Sequence, residues 1–144
     1  MRWNQAQIDR LLDGMAEALA AANGEPPPSL VGIQSGGAWV AEALNQRLPT
    51  PLPLGRLDVS FYRDDFDTRG LKRSVKPSDL PFDVDGANLI LVDDVLMTGR
   101  TIRAAMNELF DFGRPASTRF GVLFDIGPRQ LPVRPASFGE HFGV

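Results

Sequence analysis

Two periodicities alternate along this chain. Ile8, Leu11, Leu12, Met15 and Leu19 recur at helical spacing, behind Asn4 as a cap with Gln7 in the capping-box position. Asn23-Gly24 and the prolines 26–28 end that helix. Ser29 to Ile33 reads as a short buried strand. The turn Gln34-Ser-Gly-Gly37 leads into a second helix carrying Val40, Ala43, Leu44 and Leu48. A strand is expected from about Arg56 to Tyr62, then a charged, turn-rich stretch from Arg63 to Asp85. The aliphatic run from Asn88 has the character of a strand covered on both faces, and Ile102, Ala105, Met106 and Leu109 form a third helical stripe, stopped by Gly113 and Pro115. A last strand is expected from about Thr118 to Asp125. Alternating strands and helices predict an α/β fold, mainly a parallel sheet with helices on both faces. No repeat or second domain interrupts it, so residues 1–144 are expected to be one domain.

The junction after the Asn88 run carries the chemistry. Apolar residues give way abruptly to Asp93 and Asp94, then Val95, Leu96, Met97, Thr98 and Gly99 lead to Arg100 and Thr101 at a helix start. The first amides of such a helix lack helical partners and sit at the positive end of its dipole, which suits a phosphate monoester. Gly99 allows close approach, and Thr98 and Thr101 offer hydroxyl donors. Carboxylates only accept hydrogen bonds, so Asp93 and Asp94 suit the vicinal hydroxyls of a ribose, and a nearby phosphate would call for a divalent cation such as Mg²⁺. The alternative is a capped turn with two solvated aspartates. Gly32-Ile-Gln-Ser-Gly-Gly37 is a second small-residue turn into a helix; it reads as an anion cradle or as a turn that simply needs glycines.

Composition and charge narrow the classes. With 43% hydrophobic and 23% charged residues the chain is an ordinary globular protein. It has no cysteine, so thiolate chemistry and disulfides are excluded. No apolar stretch is long enough for a membrane span and no signal-peptide pattern is present, so a cytoplasmic location is expected. Net charge is −3, without the basic excess of a nucleic-acid binder. The basic residues are nearly all arginine, with Lys72 and Lys76 the two lysines, and arginine's planar fork suits diphosphate. His141, the one histidine, is expected at the surface rather than in catalysis.

Leu91-Val-Asp-Asp-Val-Leu-Met-Thr-Gly-Arg-Thr101 resembles the phosphoribosyl-diphosphate (PRPP) motif of type I phosphoribosyltransferases. The subgroup it resembles is the PyrR-type pyrimidine operon attenuation protein and uracil phosphoribosyltransferase family. Gly55-Arg-Leu-Asp-Val-Ser-Phe-Tyr-Arg-Asp-Asp65, Asp79-Leu-Pro-Phe-Asp83, Asp111-Phe-Gly-Arg-Pro-Ala116 and Leu131-Pro-Val-Arg134 carry that subgroup resemblance over nearly the whole chain. The resemblance implies a type I phosphoribosyltransferase fold that moves phosphoribose from PRPP to uracil, giving UMP and diphosphate. It further implies Mg²⁺ bound mainly through PRPP, a homodimer or higher homo-oligomer, and pyrimidine operon regulation. The alternative in a different class is an RNA-binding attenuator sensing pyrimidine nucleotides with little or no catalysis. PRPP would be bound by Ser35, Gly36 and residues Asp93 to Thr101, with Asp93 and Asp94 the catalytic pair. Arg63, Arg73 and Lys76 would belong to a flexible loop that closes over it, and Asp125 and Ile126 would lie on the base side. No dedicated protein metal site is implied.

Three departures accompany the resemblance. Ser35-Gly36 stands where the family usually carries Thr-Arg, removing a guanidinium from the diphosphate loop. Ile126 and Pro128 replace an arginine and a histidine in Asp125-Ile-Gly-Pro-Arg-Gln-Leu-Pro132. The chain ends at Val144, before the strands that frame the family's base pocket, so a reduced hood is expected.

Overall fold

A computed structural model describes residues 4–21, 27–59, 78–96, 99–126 and 137–142, with only the backbone at Ala21, at Ile126 and across 137–142. Helix α1 spans Gln5–Ala21, strand β1 Ser29–Ile33, helix α2 Gly36–Arg47 and strand β2 Leu54–Leu57. Strand β3 spans Asn88–Leu96, helix α3 Arg100–Phe110, strand β4 Ser117–Ile126 and strand β5 Ser137–Phe142. The strands form one sheet in the order β2-β1-β3-β4-β5, and every neighbouring pair is parallel.

The order follows from the patterns. Parallel neighbours need crossovers, and crossovers are right-handed. The chain winds from β1 through α2 outward to β2, then returns to β3 and winds through α3 the opposite way to β4. Equal handedness with reversed direction puts α2 and α3 on opposite faces. Two apolar clusters result. Leu12, Met15, Val40, Ala41 and Leu44 pack on Leu30, Ile90, Val92 and Leu123 on the α1/α2 face. Ile102, Ala105 and Leu109 pack on Val31, Ile33, Leu89, Leu91, Phe120 and Val122 on the α3 face. The alternation of Leu89 and Leu91 with Ile90 and Val92 is the period of two that splits a strand between two faces.

The start of α1 matches its sequence signal, while the stop signals at Asn23-Gly24 and Pro26 lie outside the described residues. Asn4 N–H donates to Gln7 Oε1 at 2.9 Å, and Gln7 N–H donates to Asn4 Oδ1 at 2.8 Å, a reciprocal capping box. Asn4→Ala is expected to cost about 1 kcal/mol and lower the melting temperature by roughly 3–4 °C, read by circular dichroism. Near the same end of α1, Arg47 at the end of α2 clasps Asp13 at 2.8 Å and Asp9 at 3.0 Å.

Three expectations change. The strand expected from Arg56 to Tyr62 is β2 at Leu54–Leu57, because its partner β1 runs out where the chain turns at Gln34; the last bond is Gln34 N–H to Leu57 O at 2.9 Å. Residues 60–62 lie outside the described set. In the second helix Ala41, not Ala43, completes the buried stripe, with Ala43 only partly buried. Strand β5 was not expected, since Ser-Phe-Gly-Glu-His-Phe has neither an apolar run nor clean alternation; it is held by its parallel register with β4, Gly121 opposite Ser137 through Ile126 opposite Phe142. His141 therefore lies in a strand, with its side chain outside the described set.

Candidate active site

In an open parallel sheet, ligands settle beyond the carboxyl ends of the strands where the winding reverses. Here that point lies between β1 and β3. Their pairing ends at Gly32 opposite Val92, whereas β3 stays paired to β4 through Asp93, Val95 and Leu96. A crevice therefore opens just where the two carboxylates begin. The strand does not stop at the acids, as the apolar run suggested, but carries them two residues short of its end.

Period-two alternation separates the acids. Asp94 continues the parity of Ile90 and Val92 and faces α2; Asp93 continues that of Leu89 and Leu91. Asp93 is buried and Asp94 half-buried. Each is tied to the next amide: Asp94 N–H donates to Asp93 Oδ1 at 2.8 Å, and Val95 N–H donates to Asp94 Oδ1 at 2.9 Å. Such short side-chain-to-backbone bonds set the rotamers of both carboxylates at the mouth of the crevice.

The turn after β1 forms one wall. A Cβ at Gly32 would lie 2.5 Å from Ala38 Cα, and one at Gly37 would overlap the Val92 carbonyl oxygen and stand 2.9 Å from Asp93 Cα. Glycine at both positions lets the start of α2 nest on β1 and β3. Ser35 is the exposed N-cap of α2 and makes no side-chain cap bond; its carbonyl accepts Trp39 N–H at 3.3 Å. Gly36 is the first residue of the helix.

The other wall is the start of α3. Gly99, its N-cap, is buried and left-handed with φ 95°, a conformation that favours glycine, and it brings no side-chain cap. Arg100 and Thr101 are exposed in the first turn, which holds no acidic residue. The positive end of this helix dipole thus faces solvent beside the crevice. Val95 is half-buried, while Leu96 is buried in the α3-side core and has only its backbone to offer a ligand. Met97 and Thr98 lie outside the described residues, as do Arg63, Arg73 and Lys76.

Asp125 is buried near the end of β4, with Leu96 of β3 opposite on one side and His141 of β5 on the other. Ile126 follows as the last residue of the strand. Among the described residues no group of three or more His, Cys, Asp or Glu side chains is disposed to hold a metal ion.

A crevice at the switch point, flanked by two helix starts and carrying acids on its floor, sets up the comparison with known proteins. Residues 4–138 match the model of the phosphoribosyl transferase domain family. The chain belongs to this family. It is 57% identical over 137 residues to the bifunctional protein PyrR of Pseudomonas aeruginosa, covering 95% of this chain and 81% of that one. Against bifunctional protein PyrR of Pseudomonas syringae pv. tomato the identity is 51% over 136 residues, covering 94% and 80%. Among solved structures it is similar to a purine phosphoribosyltransferase from Pyrococcus horikoshii, with TM-score 0.73, 26% identity and coverage of 97% and 85%. A hypoxanthine-guanine phosphoribosyltransferase from Bacillus anthracis superposes with TM-score 0.76 at 18% identity, covering 96% and 81%, which establishes the type I phosphoribosyltransferase fold. The chain is a PyrR-type member of the phosphoribosyltransferases.

The sequence pointed to Ser35, Gly36, Asp93, Asp94, Gly99, Arg100 and Thr101 from two separate segments, and the fold brings these to one end of the sheet. Sequence reasoning missed that Gly36 and Asp94 touch. That contact joins remote segments through the sheet, and no local pattern announces it.

Proposed function

We propose that this chain transfers the phosphoribosyl group of PRPP to uracil, forming UMP and diphosphate, as a single phosphoribosyltransferase domain over residues 1–144. The observation that supports this reading most is the switch-point crevice, with Asp93 and Asp94 between two helix N-termini. One helix start suits the diphosphate and the other the 5′-monoester; the acids suit the ribose hydroxyls between them.

The reaction breaks the bond from the anomeric carbon to diphosphate oxygen and forms one to a pyrimidine nitrogen, whose N–H proton is released as diphosphate departs. The sugar acquires oxocarbenium character on the way. Proton transfer is a small part of this chemistry, so the chain acts by positioning and electrostatics. Asp93 and Asp94 hold the ribose hydroxyls and lie beside the developing positive charge. Backbone from Val95 through Met97 and Thr98 to Gly99, with Arg100 and Thr101, receives the monoester. Ser35 and Gly36 offer backbone amides to the diphosphate. Arg63, Arg73 and Lys76 close over the leaving group and exclude water. Asp125 and Ile126 border the base.

The chemistry of the strand end is compatible with Mg²⁺ held mainly through PRPP: Asp93 and Asp94 are hard carboxylates beside the position of the diphosphate, and the ion would supply countercharge there. Bound that way, the ion neutralises diphosphate charge. In this reading the protein works in the cytoplasm as a homodimer or higher homo-oligomer. None of its described helices is long and apolar enough to cross a membrane.

A second activity implied by the family resemblance is regulation of a pyrimidine operon through RNA, with UMP as effector; the relatives' name, bifunctional protein PyrR, is consistent with two functions. Filter binding to a pyrimidine-leader RNA across a salt series, with and without UMP, tests it. For the transferase, a panel of nucleobases is incubated with PRPP and Mg²⁺. Uracil is expected to give UMP and diphosphate in equal amounts. Conversion of hypoxanthine or guanine with uracil inert would reassign the base, and no conversion of any base would leave regulation alone.

A further inference from the structure

Past Leu57 the chain leaves the sheet, and at Ser78 it is back beside the outer edge of β2. The return is antiparallel: Arg56 N–H donates to Asp79 O and Asp79 N–H to Arg56 O, both at 2.8 Å. In such a ladder the next doubly bonded pair lies two residues on, which sets Asp58 against position 77. Residue 77 is a proline and brings no N–H, so that pair cannot exchange both bonds. A side chain takes its place. Asp58 N–H donates to Ser78 Oγ at 2.9 Å, and the same hydroxyl donates to Glu108 Oε2 at 3.3 Å. A serine hydroxyl has one proton to give and lone pairs to accept with, so one atom serves both neighbours.

The residues after Ser78 are held differently. Gly55 makes room for them: a Cβ there would lie 2.7 Å from Leu80 Cδ2, 3.0 Å from Asp79 O and 3.2 Å from Phe82 Cε2. Leu80 and Phe82 then pack against the α3-side core. Main-chain bonds and apolar contact thus secure Asp79 to Phe82, and only the last tie before position 77 depends on a hydroxyl. Glu108 lies in the last turn of α3, the helix whose start would take the monoester.

We infer that Ser78 is a positioning residue: its hydroxyl ties the departing chain at Asp58 to the returning chain and joins both to α3. Without it, the Arg56–Asp79 pair is the last tie between the two. The closure cost of the longer loop hardly changes, because it grows only with the logarithm of length. What changes is direction. The Asp58 amide no longer sets the course of the chain toward Arg63, nor does α3 set its course back from Lys76. This rests on the reading above in which Arg63, Arg73 and Lys76 serve the diphosphate; the two bonds of the hydroxyl do not.

The test compares PRPP, which carries diphosphate, with UMP, which has the monoester and ribose but no diphosphate. In Ser78→Ala of the full chain, PRPP affinity by calorimetry with Mg²⁺ is expected to fall about fivefold, the contribution of one hydrogen bond. UMP affinity is expected to stay at the wild-type value. Hydrogen exchange at the Asp58 amide is expected to quicken as its acceptor is lost, with the melting temperature within about 3 °C of wild type. Ser78→Thr keeps the hydroxyl and is expected to restore PRPP affinity and slow exchange. PRPP affinity unaltered in Ser78→Ala overturns the inference, as does an equal fall for UMP, which would make Ser78 a general support of the fold. Unaltered exchange at Asp58, or a threonine that restores nothing, overturns it too. If wild type itself binds no PRPP, the phosphoribosyl reading fails, while exchange at Asp58 still decides whether Ser78 makes the tie.

Discussion

Replacing Asp93 and Asp94 together by asparagine is expected to weaken PRPP binding by two to four orders of magnitude while the protein stays folded. The fold survives because an asparagine Oδ1 can still accept the bonds that the Asp94 and Val95 amides donate at 2.8 and 2.9 Å. What changes is the charge. Each carboxylate-to-hydroxyl bond is worth about 1.5–3 kcal/mol, so losing the charged character of both costs about 3–6 kcal/mol of binding. Calorimetry with PRPP and Mg²⁺ gives the affinity, and a thermal melt checks folding. Affinity unchanged from wild type would remove both acids from the site.

The second large effect is expected at Gly37. An alanine Cβ there overlaps the Val92 carbonyl oxygen and presses on Asp93 Cα at 2.9 Å, and both obstacles are backbone of the central strand. Relief requires α2 to lift from β3, opening the cluster of Val40, Ala41 and Leu44 against Val92. Overpacking of this kind costs about 3 kcal/mol, a fall of roughly 10 °C in melting temperature at this chain length. Urea denaturation followed by tryptophan fluorescence gives the same quantity independently. A melt at the wild-type temperature would show that α2 has slack against β3 and that the nesting is not tight.

Much of this architecture is legible in the residues. Ser29–Ile33 is a strand over the expected span because every position is buried, and a run apolar throughout has no other placement in a sheet covered on both faces. The Asn4/Gln7 box fixes where α1 begins by local chemistry alone. The acidic pair marks the crevice because carboxylates interrupting a buried strand are costly unless the fold has a use for them. What escaped the reading is set by partners remote in sequence. β2 lies at Leu54–Leu57 because β1 ends at Ile33, a fact about another segment. β5 exists because β4 offers an edge, not because Ser137–Phe142 declares itself. Leu96 looked like part of the ligand turn, yet it faces the core beside α3. The contact of Gly36 with Asp94 belongs to the same class: each residue looks ordinary alone, and their closeness appears only after the sheet has assembled.

The strand order also bears on how the polypeptide comes off the ribosome. β1 occupies an inner position, but its neighbour β3 lies far downstream, at Asn88–Leu96. At translation speeds of about 5–20 residues per second, one edge of β1 waits roughly 3–12 s for Leu89 to Val92 to be made. During that interval Leu30, Val31 and Ile33 have only α1, α2 and β2 to cover them. A nascent chain stalled before residue 88 would be the aggregation-prone species in the life of this protein, and synthesis of the acid-bearing strand would end its exposure.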